Sequence, residues 1–329
     1  MASSRKIEQS LAQLVELSAS DAPGLIQRLP AFLGSATNLI VAKAAKLAGA
    51  PGVAPAVLAE LVNAFHRFLA KAGGGDRGCA AKQAIATTLY ESTCTSADTT
   101  GVFLAGVRWV QMEPAYGGST DTAAELRGIC AMGLVRVGYP RVMEILVDLL
   151  ADPSEQTRIM AVRALAYANQ DAGALLLRLK ILTGDPDERV IAEAIAAVGQ
   201  IGGIKALEFL RRLMQDGPGT AAFSAAAMAV GDLHHADALE ALLTVWRESM
   251  LRETREALLL PIALCRLPAA IDFLLTVIAE NPEPLARGSV EALAIFRHDP
   301  QLKSKIAAAV STRNADAVTH QFARSFGQS

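Results

Sequence analysis

The chain has 329 residues, too many for one core that grows in a single piece, so it is built either from two domains or from repeats. Apolar residues make up 52% and aromatic residues only 5%, an Ala- and Leu-rich mixture that suits close-packed helices and suits sheets poorly. With 31 basic and 33 acidic residues the net charge is -2, and no stretch is basic enough to neutralise a phosphate backbone, which argues against a nucleic-acid partner.

The start carries Arg5 and Lys6 with no apolar block behind them, so it does not read as a signal peptide. Candidate helices follow at 7–18, 24–33, 38–47, 55–71, 79–91 and 99–110, less regular than what comes later. The first is amphipathic and suits a cap over one end of a helix stack. The run from Gly73 to Gly78 reads as a linker, because Gly73-Gly74-Gly75 lacks the Lys-Ser/Thr of a phosphate loop. Residues 1–110 form an irregular helical part.

Residues 111–121 form an inserted loop. With its approach it gathers Arg108, Trp109, Gln111, Met112, Glu113 and Tyr116 around Gly117-Gly118, in a chain with two Trp and four Tyr in all. Connectors on a rigid scaffold often carry binding residues, and these side-chain types are favoured at interface centres. Two roles fit, a binding loop and a plug between the irregular and regular parts. Glu113, Asp121 and Glu125 lie close enough in sequence to share a site, with Arg127 beside them. Asp121 also suits a helix N-cap, with Glu125 in the first turn that follows.

From 122 to 312 the punctuation is periodic. Asp152-Pro153, Asp185-Pro186, Asp216-Gly217, Glu248-Ser249 and Asn281-Pro282 recur about every 32 residues, room for two helices and two turns. One amphipathic hairpin cannot bury its apolar face alone, so neighbouring pairs must stack. Ala161, Ala164, Ala192, Ala194, Ala196 and Ala197 allow close approach. Arg127, Arg158, Arg255 and Arg287 recur in phase and are expected to reach the acidic turns as a ladder, or else to face a ligand. Polar residues of the second helices, Arg141, Glu144, Asp148, Arg178, Lys180, Glu208, Arg211 and Arg212, are candidates for a groove of mixed charge. Residues 313–329 read as a polar tail holding Phe322 and Phe326.

Four cysteines and five histidines show no metal-ligand spacing, so neither metal nor cofactor is expected. Buried free thiols fit a reducing compartment and a cytoplasmic location. The longest apolar region, 257–279, is interrupted by Arg266, Pro268 and Asp272, so no run is expected to span a membrane.

The opening Asp152-Pro153, followed by Arg158, Ala161, Ala164 and Leu165, resembles the first helix of a HEAT repeat, in particular the short HEAT-like repeats associated with phycobilisome lyases. Asp185–Val190 resembles the same opening. The likeness covers about residues 120–310 well and 20–110 loosely. It implies an all-α, α-α superhelical solenoid of the HEAT/armadillo-like kind, used for binding another protein or peptide. The functional expectation is a protein-binding or scaffolding module that works through its groove and the 108–121 loop. The alternative is an enzyme on the same scaffold, resembling a DNA base glycosylase or a chromophore lyase; Trp109, Tyr116 and Glu113 would then supply an aromatic pocket and an acid.

Overall fold

A computed structural model of the protein describes residues 2–71, 75–92, 94–215, 217, 219–313 and 315–327. Met1, Gly73 and Gly74 of the expected linker, Asp216 of one turn, and Asn314, Gln328 and Ser329 of the expected tail lie outside these. The fold is an all-α repeat fold. Internal contacts divide it into two compact units, Met1–Asn169 and Gln170–Ser329, a boundary that falls inside the regular repeats and not at the inserted loop.

The first unit contains α1 (Ala2–Leu17), α2 (Ala22–Leu33), α3 (Asn38–Ala48), α4 (Val53–Ala56), α5 (Leu58–Ala70), α6 (Ala80–Glu91) and α7 (Ala97–Gly106). Two short strands follow, β1 (Met112–Ala115) and β2 (Gly118–Asp121), then α8 (Ala124–Arg136), α9 (Val142–Leu150) and α10 (Glu155–Ala168). Most helices lie where the periodicity puts them. The expected helix at 55–71 instead begins at Val53 and breaks at Val57, whose backbone leaves the helical region (φ -116°, ψ 23°). The inserted loop is a β-hairpin.

Helices α3, α6, α8 and α10 pack side by side in order, and α5, α7 and α9 lie against this row. Small residues permit the spacing, with Ala44, Ala45, Ala81, Ala131, Ala161 and Ala164 all fully buried. At Gly128 the approach is close: a Cβ there would lie 2.6 Å from Cβ of Met160, so α8 and α10 meet in this way only with glycine.

The second unit repeats the plan with α11 (Asp171–Thr183), α12 (Glu188–Gly202), α13 (Leu207–Leu213), α14 (Ala221–Gly231) and α15 (Ala236–Glu248). It continues with α16 (Arg252–Leu264), α17 (Pro268–Glu280), α18 (Glu283–Ala292), α19 (Pro300–Arg313) and α20 (Asp316–Phe326). Here α12, α14, α16, α18 and α20 form the continuous row. A Cβ on Gly231 would lie 2.4 Å from the Pro261 carbonyl oxygen, the counterpart of the contact at Gly128.

The Asp-Pro openings have a local cause. Asp152 Oδ1 accepts from the Ser154 N–H at 2.8 Å and Asp185 Oδ1 from the Asp187 N–H at 2.9 Å. Asp299 Oδ1 accepts from the N–H groups of Gln301 and Leu302. Each carboxylate turns the chain and satisfies backbone donors at a helix start.

Two expectations need correction. Within the stretch read as a polar tail, residues 316–326 form a packed helix: α20 lies on α18 and α19, with Val318 and Phe326 buried and Phe322 stacked on Phe326 at 5.1 Å. The amphipathic pattern of its apolar residues, spaced four apart, lets it close the row. Glu188–Leu213 is long and apolar enough to cross a membrane by length and composition, which the reading centred on 257–279 missed. In the fold this stretch is two helices, α12 and α13, separated at Gly203 (φ 51°, ψ -138°) and packed on α11 and α14.

Candidate functional site

The hairpin pairs Met112 with Asp121, Glu113 with Thr120, Pro114 with Ser119 and Ala115 with Gly118, leaving Tyr116-Gly117 as a two-residue turn. Gly117 sits at φ 86°, a third-position requirement of a type II turn that a side chain would strain. Pro114 falls in a pair whose backbone groups point outward, so the outer edge of β1 lacks one donor and resists pairing with another strand. What the hairpin offers is its side chains.

Its base is held by an unusually dense set of polar contacts. Gln111, 5% exposed, donates from Nε2 to the Asp76 carbonyl at 2.7 Å and to Glu113 Oε1 at 2.6 Å. The same Glu113 oxygen accepts from the Gly78 N–H at 2.7 Å and from Thr122 Oγ1 at 3.2 Å. Trp109 Nε1 donates to Gln111 Oε1 at 3.2 Å. Below the indole lies Lys82, with Nζ 5.4 Å from the ring centre and 2.8 Å from Asp76 Oδ2; that pair is 1% exposed on both sides.

Arg127 organises the other side. Its guanidinium, 3% exposed, forks onto Asp152 with two contacts of 2.9 Å. It also reaches Asp121 Oδ2 at 2.6 Å, the Trp109 carbonyl at 2.9 Å and Thr157 Oγ1 at 3.2 Å. Asp121 Oδ1 takes the N–H groups of Gln111 and Ala123, both at 3.0 Å. Asp121 therefore ties the hairpin to the start of α8 and is not the cap of that helix, whose N-cap is Ala123.

These contacts set the charges. The Gln111 amide, then the Gly78 N–H and Thr122 hydroxyl, hold the Glu113 carboxyl below its ordinary range despite partial burial. Burial alone would raise Asp121, but the two backbone donors and the Arg127 guanidinium outweigh it and lower it. Burial likewise works against the Arg127 cation, and Asp152 and Asp121 reverse that, raising it further.

The tip is the opposite of the base. Tyr116 is fully exposed, Met112 is 57% exposed, and Arg108 is exposed without a described partner. Of the nine candidates around the loop, the structure joins Trp109, Gln111, Glu113, Asp121 and Arg127 into one network. It leaves Arg108, Met112, Tyr116 and Glu125 outside. Trp109 at the base and Tyr116 at the tip do not share a pocket, so the glycosylase-like arrangement of Trp109, Tyr116 and Glu113 is not formed.

The phased arginines behave unequally. Arg127 reaches an acidic turn; Arg158 Nη1 donates to the carbonyls of Asp152 and Pro153. In the second unit Arg255 donates to the Trp246 carbonyl, and Arg287 lines a cavity of about 430 Å3. Of the second-helix candidates, Arg141, Glu144, Asp148, Glu208, Arg211 and Arg212 are exposed, and Arg178 and Lys180 are half-buried. Arg141 pairs with Glu144, and Glu208 with Arg211 at 3.7 Å. Arg178 and Arg212 lie over the Phe209 ring, and Lys180 reaches the buried Asp185 at 2.7 Å.

Elsewhere, cavities among the described residues open along the row of each unit. One of about 770 Å3 lies over α3 and α6, lined among others by Leu39, Lys43, Gln83, Thr87, Glu91 and Glu125. A second lies between α12 and α14, and the third is the 430 Å3 cavity over α16, α18 and α20. None of the second-helix candidates lines them. Gln83, Thr87 and Glu91, or Arg287 and Glu291, stand four apart on one helix face, which is the sequence signal for this face.

Residues 143–230 match the HEAT repeats family, in line with the resemblance carried by Asp152–Leu165 and Asp185–Val190. No curated protein matches the chain. Similar solved structures include an engineered protein, 16% identical, covering 96% of this chain and 93% of its own, with a TM-score of 0.43. Another is the complex of CpcE and CpcF of phycocyanin lyase from Nostoc sp. PCC7120, 17% identical over 71% of this chain and 88% of that one, with a TM-score of 0.37.

Proposed function

We propose that the chain is a protein-binding module that presents the β1–β2 hairpin as a preset contact element. The observation that carries this reading is the contrast between a base locked by buried polar contacts and a tip whose Tyr116 and Met112 are open to solvent. An isolated two-stranded hairpin is marginal in water, and fixing ten residues costs on the order of 10 kcal/mol of chain entropy. Here little apolar burial offsets that cost, so the base network does so. A contact element ordered beforehand spares a partner the ordering penalty on binding, which is where such rigidity has an effect. Exposed Tyr and Met are side chains enriched at interface centres. HEAT repeats at 143–230 are consistent with a scaffold that carries such an element.

The test is quantitative affinity capture from the native organism's lysate, comparing wild type with a Met112→Ala, Tyr116→Ala double variant. Both residues lie outside the base network, so the variant keeps the wild-type melt. A protein recovered stoichiometrically with wild type and lost with the variant supports the reading. Equal recovery with both refutes the hairpin as contact element, and recovery of nothing by either refutes the module.

A further inference from the structure

Helix α11 is apolar on both sides. It contains Leu175, Leu176, Leu177, Leu179, Ile181 and Leu182, yet its buried residues are Gly173 and Leu177 alone. A helix that is apolar all round is one that an interior covers on every face. Leu175, Leu179 and Leu182 are instead 66%, 58% and 72% exposed, and among the described residues no other helix shows more than one exposed large apolar side chain. With the exposed Ala172 they are spaced three, four and three apart, on the side opposite Gly173 and Leu177. That spacing is the narrow seam by which one helix packs along another, and here it runs for about 15 Å.

Cations line one flank of this seam. Arg178 reaches over the Phe209 ring of α13 with its guanidinium carbon 4.5 Å from the ring centre, and Arg212 covers the same ring at 5.8 Å. Lys205, four residues before Phe209, is exposed on the same side of α13. None of these three pairs with a carboxylate among the described residues. The neighbouring charges are answered: Lys180 by Asp185, Arg211 by Glu208 and Arg189 by Asp187. Acids outside those pairs stand at helix starts, Asp171 on α11 and Glu188 on α12. The other flank of the seam presents Leu176 and Thr183, which carry no charge.

We infer that the α11 seam binds an amphipathic helix of a partner protein, with apolar residues at the same three-and-four spacing and carboxylates along the edge that faces Arg178, Lys205 and Arg212. The apolar residues give the contact its area, and the one-sided charge fixes which way the partner helix is rolled. A second copy of this face would bring the same three cations against them, and like charges across a contact oppose it. The seam is also short of the roughly 800 Å2 per partner that two folded chains need for a stable interface. A lipid surface takes a wider apolar face with cations on both of its edges.

The inference adds a second contact surface to the protein-binding reading and names the chemistry of what it takes. The probes are three synthetic helical peptides of about 18 residues. One has a Leu seam edged by Glu, one has the same seam edged by Lys, and one keeps the Glu residues with the Leu positions scrambled. Fluorescence anisotropy against the full chain at low salt is expected to give the Glu-edged peptide a Kd about tenfold below either control. Leu175→Ser with Leu179→Ser should raise that Kd at least about tenfold while the wild-type melt is kept, since both side chains lie on the surface. Lys205→Glu with Arg212→Glu should turn the preference to the Lys-edged peptide, and carries the test by itself if the Leu variant does not fold.

Equal affinities for the three peptides, a Kd unmoved by both variants, or no binding up to about 1 mM would each overturn the inference. So would a dimer in sedimentation, or retention by phosphatidylserine–phosphatidylcholine vesicles, that the Leu variant abolishes. These changes leave Met112 and Tyr116 in place. Hairpin-dependent capture that persists while the peptides fail to discriminate therefore sinks the seam alone, and peptide discrimination that survives without hairpin-dependent capture sinks the hairpin alone.

Discussion

Replacing Arg127 with Met tests whether the hairpin base is an energetic unit. The substitution keeps most of the side-chain volume and removes a guanidinium that is 3% exposed and contacts Asp152, Asp121, Thr157 and the Trp109 carbonyl. Two carboxylates, 11% and 18% exposed, are then left facing each other without a cation. Breaking a buried pair from one side typically costs about 3–5 kcal/mol, because the remaining charge has lost its compensation. In a unit of this size that corresponds to a fall in Tm of roughly 10 °C. Urea titration followed by circular dichroism, and by Trp109 fluorescence in a Trp246→Phe background that leaves one indole, reads both the stability and the hairpin base.

The pH dependence fixes the cause. Asp121 is lowered in the folded wild type, so its contribution is present above the unfolded value near 3.9 and is lost as pH falls through the folded one. In Arg127→Met the same carboxyl loses its cation and rises, so acid relieves the variant. The stability gap between wild type and variant should therefore narrow as pH drops from 7 towards about 4. A loss below about 1 kcal/mol at pH 7, or a gap that does not change with pH, would refute the reasoning.

Two further substitutions probe separate links. Glu113→Ala removes the acceptor shared by Gly78, Gln111 and Thr122; hydrogen exchange at the Gly78 amide should accelerate about tenfold, while amides in α14 and α16 stay unchanged, and equal protection in both proteins would count against the tether. The same amide in wild type should lose protection as pH falls through the depressed Glu113 value, since the tether exists only above it. Gly128→Ala gains about 1 kcal/mol of helix propensity but puts a methyl 2.6 Å from Met160; overpacking of about 1–3 kcal/mol should win, and a more stable variant in thermal melts would disprove the close approach of α8 and α10.

The repeat was legible because its signals are local. Asp152, Asp185 and Asp299 bend their own turns, and the apolar spacing of 142–150 or 252–264 marks a helix without reference to any other element. The hairpin was half legible: Trp109, Gln111, Glu113 and Tyr116 stood out by composition, but a four-residue strand containing Pro114 has no periodicity to read. The cavity side chains Lys43, Gln83 and Glu91 were hidden among ordinary polar positions.

By itself, then, the sequence determined the helices, their period and the contacts made within a few residues, since turn chemistry and amphipathic spacing act at short range. Tertiary structure alone decided which polar residues meet. Arg127 finds Asp152 25 positions away, Gln111 finds Asp76 35 positions back, and Lys43 meets no acid among the described residues. Such pairings depend on how helices stack, and stacking is set by the summed shapes of small residues at Gly128, Ala131 and Ala161. The same stacking separates a buried, fully paired hairpin base from an open tip, a division that no local pattern encodes.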